Sequence, residues 1–265
     1  MVVAEQNRAW ILRVRSGSLA RFFVIPNRPL DDMVADGQSQ QVARAVFLRY
    51  GGSPSCTKFL IYQGCFDRSR CLDSVIGAFK RLPGPDVGLL LMGADPSEPL
   101  CRSLMLSCQT DSRIAFVPRL PPPTHLGVAP GCVAGILLYA PTALNNIYCA
   151  PNKLYEYAAA GLGMILPNYP GIEALNREYR IGCVCDPTDA DSILAAMRGV
   201  LLRPRSEWRE ASGDFLLRSV CPRELYTEVL DELRARIKSK RPAPEVQAAA
   251  CGEGAQDQPL CHPKK

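Results

Sequence analysis

The residues best suited to chemistry lie in one short segment, Pro151-Asn152-Lys153-Leu154-Tyr155-Glu156-Tyr157, which runs on through Ala158-Ala159-Ala160 to Gly161. Proline is pre-organised for the first helical position, and the amides of Asn152, Lys153 and Leu154 that follow it would be free to bind an anion. Lys153 adds a full positive charge at the same place. Glu156 is the single acidic residue among positions 112–172. A carboxylate near a helix start also complements the helix dipole, which accounts for an acid at that position but not for the acid-poor stretch around it. A carboxylate held beside an anion site is an acceptor for hydroxyl groups. Beside a diphosphate, the two hydroxyls of a ribose are suitable donors, so the segment favours a nucleoside diphosphate as ligand.

A second group of residues follows an apolar run. Gly64 ends Lys58 to Gln63, and Asp67-Arg68-Ser69-Arg70 leads into the next helical pattern. Glycine lets backbone approach a ligand closely, and an arginine at a helix start suits phosphate. A glycine after a strand serves a simple turn equally well. Neither G-x-G-x-x-G nor G-x-x-x-x-G-K-[ST] occurs, so neither the dinucleotide fingerprint nor the P-loop is present. G-x-S-x-G is also missing. The two histidines are His125, which follows three prolines and reads as a loop residue, and His262 near the end of the chain. The 12 cysteines are scattered with no C-x-x-C pair. That spacing implies no metal site and no cofactor, and it fits a reduced, cytosolic setting better than a disulfide framework.

The elements that must position these groups are legible as apolar runs bounded by turn residues. Strands are expected at 58–63, 87–92, 113–117, 133–139, 162–166 and 181–185. Helices are expected at 68–81, 97–108, 151–160 and from Asp186 to Leu202, with helical segments from about Ser206 and about Pro222. Val133 to Tyr139 shows no polar alternation, as befits a strand buried on both faces. The alternation predicts an α/β fold, a Rossmann-like doubly wound parallel sheet with ligands at the carboxyl ends of its strands.

With 265 residues, 47% of them hydrophobic, the chain can bury a substantial core. The net charge of +5 sits at the ends: residues 1–28 carry +4, residues 234–265 carry +4, and the stretch between them −3. Basicity away from the fold argues against nucleic acid as partner. No run of 18 apolar residues encodes a membrane span. The Arg-rich, acid-poor stretch from Arg8 to Phe23 reads first as an ordinary helix–strand piece, and also admits a peripheral membrane contact or a transit peptide.

Taken in order, Tyr62-Gln63-Gly64 with Arg70, then Leu89 to Gly93, then Arg113 to Val117, then Asn146 with Pro151 to Tyr157 and Gly161, resemble one known family. The chain is similar over residues 55–205 to the carboxyl-terminal, donor-binding domain of retaining GT-B glycosyltransferases, in particular family 4. The resemblance implies one half of a GT-B fold. Residues 1–54 would be a remnant of the acceptor domain plus linker, 55–239 the donor-binding domain, and 240–265 a disordered tail. It further implies that Gly64 and Arg70 face the diphosphate and that Asn152, Lys153 and Leu154 cap it. Glu156 would bind the ribose, and the base would lie near Val117, Pro118 and Arg119. A second family glutamate, eight residues before the ribose-binding one, is here Tyr148, with Asn145 or Asn146 as substitutes for its contacts. No residue is assigned a catalytic role. The implied function is transfer of a sugar from a nucleoside diphosphate sugar to an unknown acceptor, with a separate acceptor-domain partner or a homodimer completing the enzyme. The alternative is a non-catalytic nucleotide-binding or interaction module derived from one.

Overall fold

The computed structural model describes residues 39–218 and 222–240. The basic stretch Arg8 to Phe23, the linker around Phe23 to Pro29 and the tail beyond residue 240 lie outside the described residues. In chain order the elements are α1 (Ser39–Arg49), β1 (Lys58–Gln63), α2 (Leu72–Lys80), β2 (Val87–Ala94), α3 (Pro99–Ser107), β3 (Ile114–Pro118) and β4 (Ala134–Ile136). They continue with α4 (Leu144–Tyr148), α5 (Asn152–Ala159), β5 (Gly163–Pro167), α6 (Pro170–Tyr179), β6 (Gly182–Cys185), α7 (Ala190–Leu202), α8 (Arg205–Arg218) and α9 (Pro222–Lys240).

The six strands form one all-parallel sheet in the order β3-β2-β1-β4-β5-β6. Period-two alternation divides its side chains between two cores. Phe59 and Ile61 of β1 join Leu90, Met92, Val117 and Met164 on one face, with Leu154 and Tyr157 of α5 and Phe215 of α8. Leu60 and Tyr62 join Leu89, Leu91, Ile136 and Ile165 on the other, with Val75 and Phe79 of α2 and Met197 of α7. With both faces covered, the strands read as continuous apolar runs, as parallel sheets require. The sequence order reverses between β1 and β4, the switch point at which an open α/β sheet leaves a crevice outside its strand ends.

The expected alternation is present, with two differences. The strand expected over 133–139 pairs only at Ala134–Ile136. The expected 68–81 helix is split: Arg68–Arg70 forms a 3-10 turn, capped by Asp67 accepting from the Ser69 amide, and the chain turns at Cys71 in a left-handed conformation (φ 55°) before α2. Helices α1, α4 and α6 have no counterpart among the expected elements. The last helix carries into a second compact unit beginning at Thr227, where Arg234 pairs with Asp231 at 3.2 Å and Arg236 with Glu232 at 3.0 Å. No helix among the described residues is long and apolar enough to cross a membrane.

Candidate functional site

A cleft of about 940 Å³ opens at the carboxyl ends of the strands. Its walls come from the end of β1 and the segment after it (Gln63, Gly64, Cys65, Arg70), the end of β2 and the segment after it (Met92, Gly93, Asp95, Glu98), the segment after β3 (Arg119, Leu120, Pro122, His125), and the first turns of α5 (Asn152, Lys153, Glu156). The floor is built where β1 and β2 end. The Gly64 amide donates to the Met92 carbonyl at 2.9 Å, and Gly64 (φ 143°) and Gly93 (φ 112°) both adopt backbone conformations that disfavour side chains. A Cβ on Gly93 would lie 2.0 Å from the Gly64 carbonyl oxygen, and one on Gly64 would lie 2.8 Å from the Lys153 Nζ. Gly93 is therefore required by space as well as by backbone angle, whereas Gly64 is required by its backbone angle, since the movable end of the Lys153 side chain is all that a Cβ there would meet closely.

Lys153 and Glu156 stand three residues apart on α5, hence on one face, while Leu154, Tyr155, Tyr157 and Ala158 are buried. The Lys153 ammonium lies over the rings of Tyr62 (5.6 Å) and Tyr139 (5.9 Å). The Arg70 guanidinium stacks on the Tyr139 ring at 4.5 Å. A bond from the Ala140 amide to the Ser69 carbonyl (2.7 Å) ties the segment after β4 to the loop carrying Arg70. Burial, reinforced by the nearby Arg70 charge, pushes the Lys153 ammonium below the usual lysine range; Glu156 partly offsets this. Among the described residues no carboxylate forms a salt bridge with Arg70 or Lys153. Two cations thus converge on one low-dielectric wall.

Buried polar atoms without a partner cluster here too. Gln63 Oε1, Arg70 Nε and His125 Nδ1 line or approach this cleft; the fourth such atom among the described residues, Arg205 Nε, belongs to a residue outside the cleft lining. Each costs about 1–3 kcal/mol in the absence of a partner. A polar ligand in the cleft is the natural source of such partners.

Of the residues singled out from sequence, Gly64, Arg70, Asn152, Lys153 and Glu156 line this one cleft. Three do not. Leu154 is fully buried, and its amide is not free: Pro151 is the N-cap of α5 rather than its first helical residue, and the Leu154 amide donates to the Pro151 carbonyl at 3.0 Å. The unpaired amides are those of the first two helical residues, Asn152 and Lys153. Val117 is fully buried in the core beneath the loop that carries Arg119. The Asn146 amide group is engaged locally, donating to the Ala140 carbonyl (3.0 Å) and to Thr142 Oγ1 (3.3 Å). Gln63, Asp95, Glu98 and His125 also line the cleft; in the sequence they are marked only by a position at or after the end of a strand or within a proline-rich loop. No cluster of three or more His, Cys, Asp or Glu that could hold a metal ion occurs among the described residues.

No protein-family model matches the sequence, and no curated protein matches it either. Solved structures do. The chain superposes on sucrose-phosphate synthase from Thermosynechococcus elongatus with a TM-score of 0.66 and 19% identity, covering 90% of this chain and 58% of that one. It superposes on WaaG, a glycosyltransferase involved in lipopolysaccharide biosynthesis, with a TM-score of 0.62 and 16% identity, covering 87% and 61%. The Anabaena protein Alr3699/HepE, in complex with UDP and glucose, gives 0.66 and 12%, covering 89% and 63%. This chain therefore spans about three fifths of the length of these neighbours. The fold is a Rossmann-like α/β domain that matches GT-B glycosyltransferases.

Proposed function

We propose that this chain binds a nucleoside diphosphate sugar in the cleft and serves the donor side of a retaining glycosyl transfer, as the carboxyl-terminal domain of a family 4 enzyme would. The observation that carries this reading is the convergence of Arg70 and Lys153, without carboxylate partners among the described residues, beside Glu156. Arg70, Lys153 and the amides of Asn152 and Lys153 hold the diphosphate. As the bond to the sugar breaks, charge grows on the departing phosphate oxygens, and fixed cations in a desolvated wall stabilise that charge more than water would. Glu156 accepts from the ribose hydroxyls. Arg119 and His125, after β3, lie where the base would reach. The acceptor is held by a domain or partner outside residues 55–239, and the nine described cysteines, all unpaired, suit a reducing compartment such as the cytosol.

A second reading, a nucleotide-binding module without transfer, is favoured by one observation. Tyr148 occupies the position at which the family resemblance calls for a second glutamate, and it does not line the cleft. Isothermal titration with UDP, GDP and ADP tests the binding claim, and a donor-hydrolysis assay separates the two readings. One of the three nucleotides is expected to bind in the micromolar range, and Glu156→Ala is expected to weaken it about tenfold or more. Binding no tighter than millimolar, or an unaltered affinity in Glu156→Ala, would remove the site assignment.

A further inference from the structure

Gln63 is the last residue of β1, buried to 4% exposure, in a sheet whose other strand residues facing the cores are apolar. Its side-chain Nε2 donates to Glu156 Oε2 across 93 positions of sequence, and its Oε1 has no partner. An ionised carboxylate is acceptor-only, so the amide must present its nitrogen to Glu156. The backbone is clamped from the same helix: the Gln63 amide donates to the Tyr157 hydroxyl at 3.2 Å, and that hydroxyl donates to the Ile61 carbonyl at 3.4 Å. A buried glutamine kept for structure alone would have both ends bonded. Here the single bond its side chain makes is to the carboxylate of the cleft.

We infer that Gln63 is a positioning residue for Glu156, fixing the orientation in which that carboxylate meets a ligand hydroxyl. The inference rests on the donor-site reading above. A glutamate on the second turn of a helix has three side-chain torsions free to wander. An amide fixed to the rigid end of β1 removes that freedom before ligand arrives, and pre-organisation of this kind raises affinity without adding a contact.

Around the pair stand Lys153 and Tyr157 on α5, Tyr139 ahead of it, and Tyr62 and Arg70 from the β1 side. Burial pushes the Tyr62, Tyr139 and Tyr157 hydroxyls up, so they stay neutral across this range, and the wild-type series reads any change in charge at Lys153. Gln63→Glu places a second carboxyl against Glu156, and two such groups share one proton at low pH and repel each other at high pH. The shared proton restores the hydrogen bond that the amide makes.

The test is titration of the full chain with UDP in wild type, Gln63→Leu, Gln63→Glu, Glu156→Ala and the Gln63→Leu/Glu156→Ala double variant. Gln63→Leu is expected to weaken UDP binding about fivefold to tenfold, and to add nothing once Glu156 is already alanine. Gln63→Glu is expected to bind worse than wild type by roughly 100-fold at about pH 8 and to recover to within about threefold near pH 5.5. Equal losses from Gln63→Leu in both backgrounds, or a Gln63→Glu deficit that does not change with pH, would overturn the inference. Thermal denaturation without ligand separates its failure from that of the donor reading. A raised carboxyl pKa in the folded state makes the melting deficit of Gln63→Glu larger at about pH 8 than near pH 5.5. If that holds while wild type ignores UDP, the contact stands and the nucleotide reading falls; if the deficit is flat, the contact itself is refuted.

Discussion

At the amino end of the sheet, Arg113 gives its guanidinium to Asp111 through two bonds (3.0 and 2.9 Å), to the Leu82 carbonyl at 2.8 Å, and to the ring of Phe79. Lys58 and Asp86 pair beside it at 3.1 Å. Arg113 holds the Asp111 carboxyl below the usual range by hydrogen bonding. At the carboxyl end, Arg70 and Lys153 have aromatic rings beneath them and no carboxylate salt bridge among the described residues. The same sheet, with the same kinds of side chain, satisfies its charges at one end and leaves them open at the other. Charge that the fold satisfies contributes stability. Charge that it leaves open costs stability and is available to a ligand.

That contrast can be broken by exchanging the two ends in experiment. Arg70→Ala combined with Lys153→Ala should reduce affinity for a nucleoside diphosphate by 100-fold or more, on the order of two charge-assisted bonds, with little change in urea denaturation. Arg113→Ala should do the reverse, costing about 2–3 kcal/mol in urea denaturation while leaving nucleotide affinity within about twofold. A stability loss from the first pair, or an affinity loss from Arg113→Ala, would erase the distinction between the ends.

A smaller effect concerns Lys153 alone. Because burial and Arg70 lower the Lys153 pKa, the charged form that holds phosphate is lost as pH rises, earlier than for an ordinary lysine. Nucleotide affinity should decline on the alkaline side in wild type and persist to higher pH in Lys153→Arg, whose guanidinium stays charged. The sign for stability is opposite. The folded state disfavours the ammonium at every pH below its lowered pKa, so Lys153→Met should gain about 0.5–1 kcal/mol near neutral pH, with the gain shrinking as pH rises. Titration calorimetry and melting curves across pH read both signs.

The fold was legible in sequence because strand burial on both faces leaves unbroken apolar runs, and turn residues mark their ends. The apolar run 133–139 is longer than β4 because Leu137, Leu138 and Tyr139 are as buried as a strand, although the ladder pairing stops at Ile136. Arg70, Lys153 and Glu156 were legible because charges stand out against apolar neighbours. Leu154 and Val117 were not excluded, because a sequence does not show which amides a first turn consumes or which strand residue points into the core. Gln63 is hidden in the sequence for a related reason. A glutamine at a strand end carries no charge to mark it, and its partner lies 93 residues away.

A crystal structure of the chain with UDP would show where the diphosphate sits. Phosphate oxygens are expected within hydrogen-bonding distance of Arg70 and Lys153 and ribose hydroxyls on Glu156, with the Gln63 bond to that carboxylate intact. UDP bound elsewhere, or bound in the cleft with its ribose turned away from Glu156, would contradict this placement.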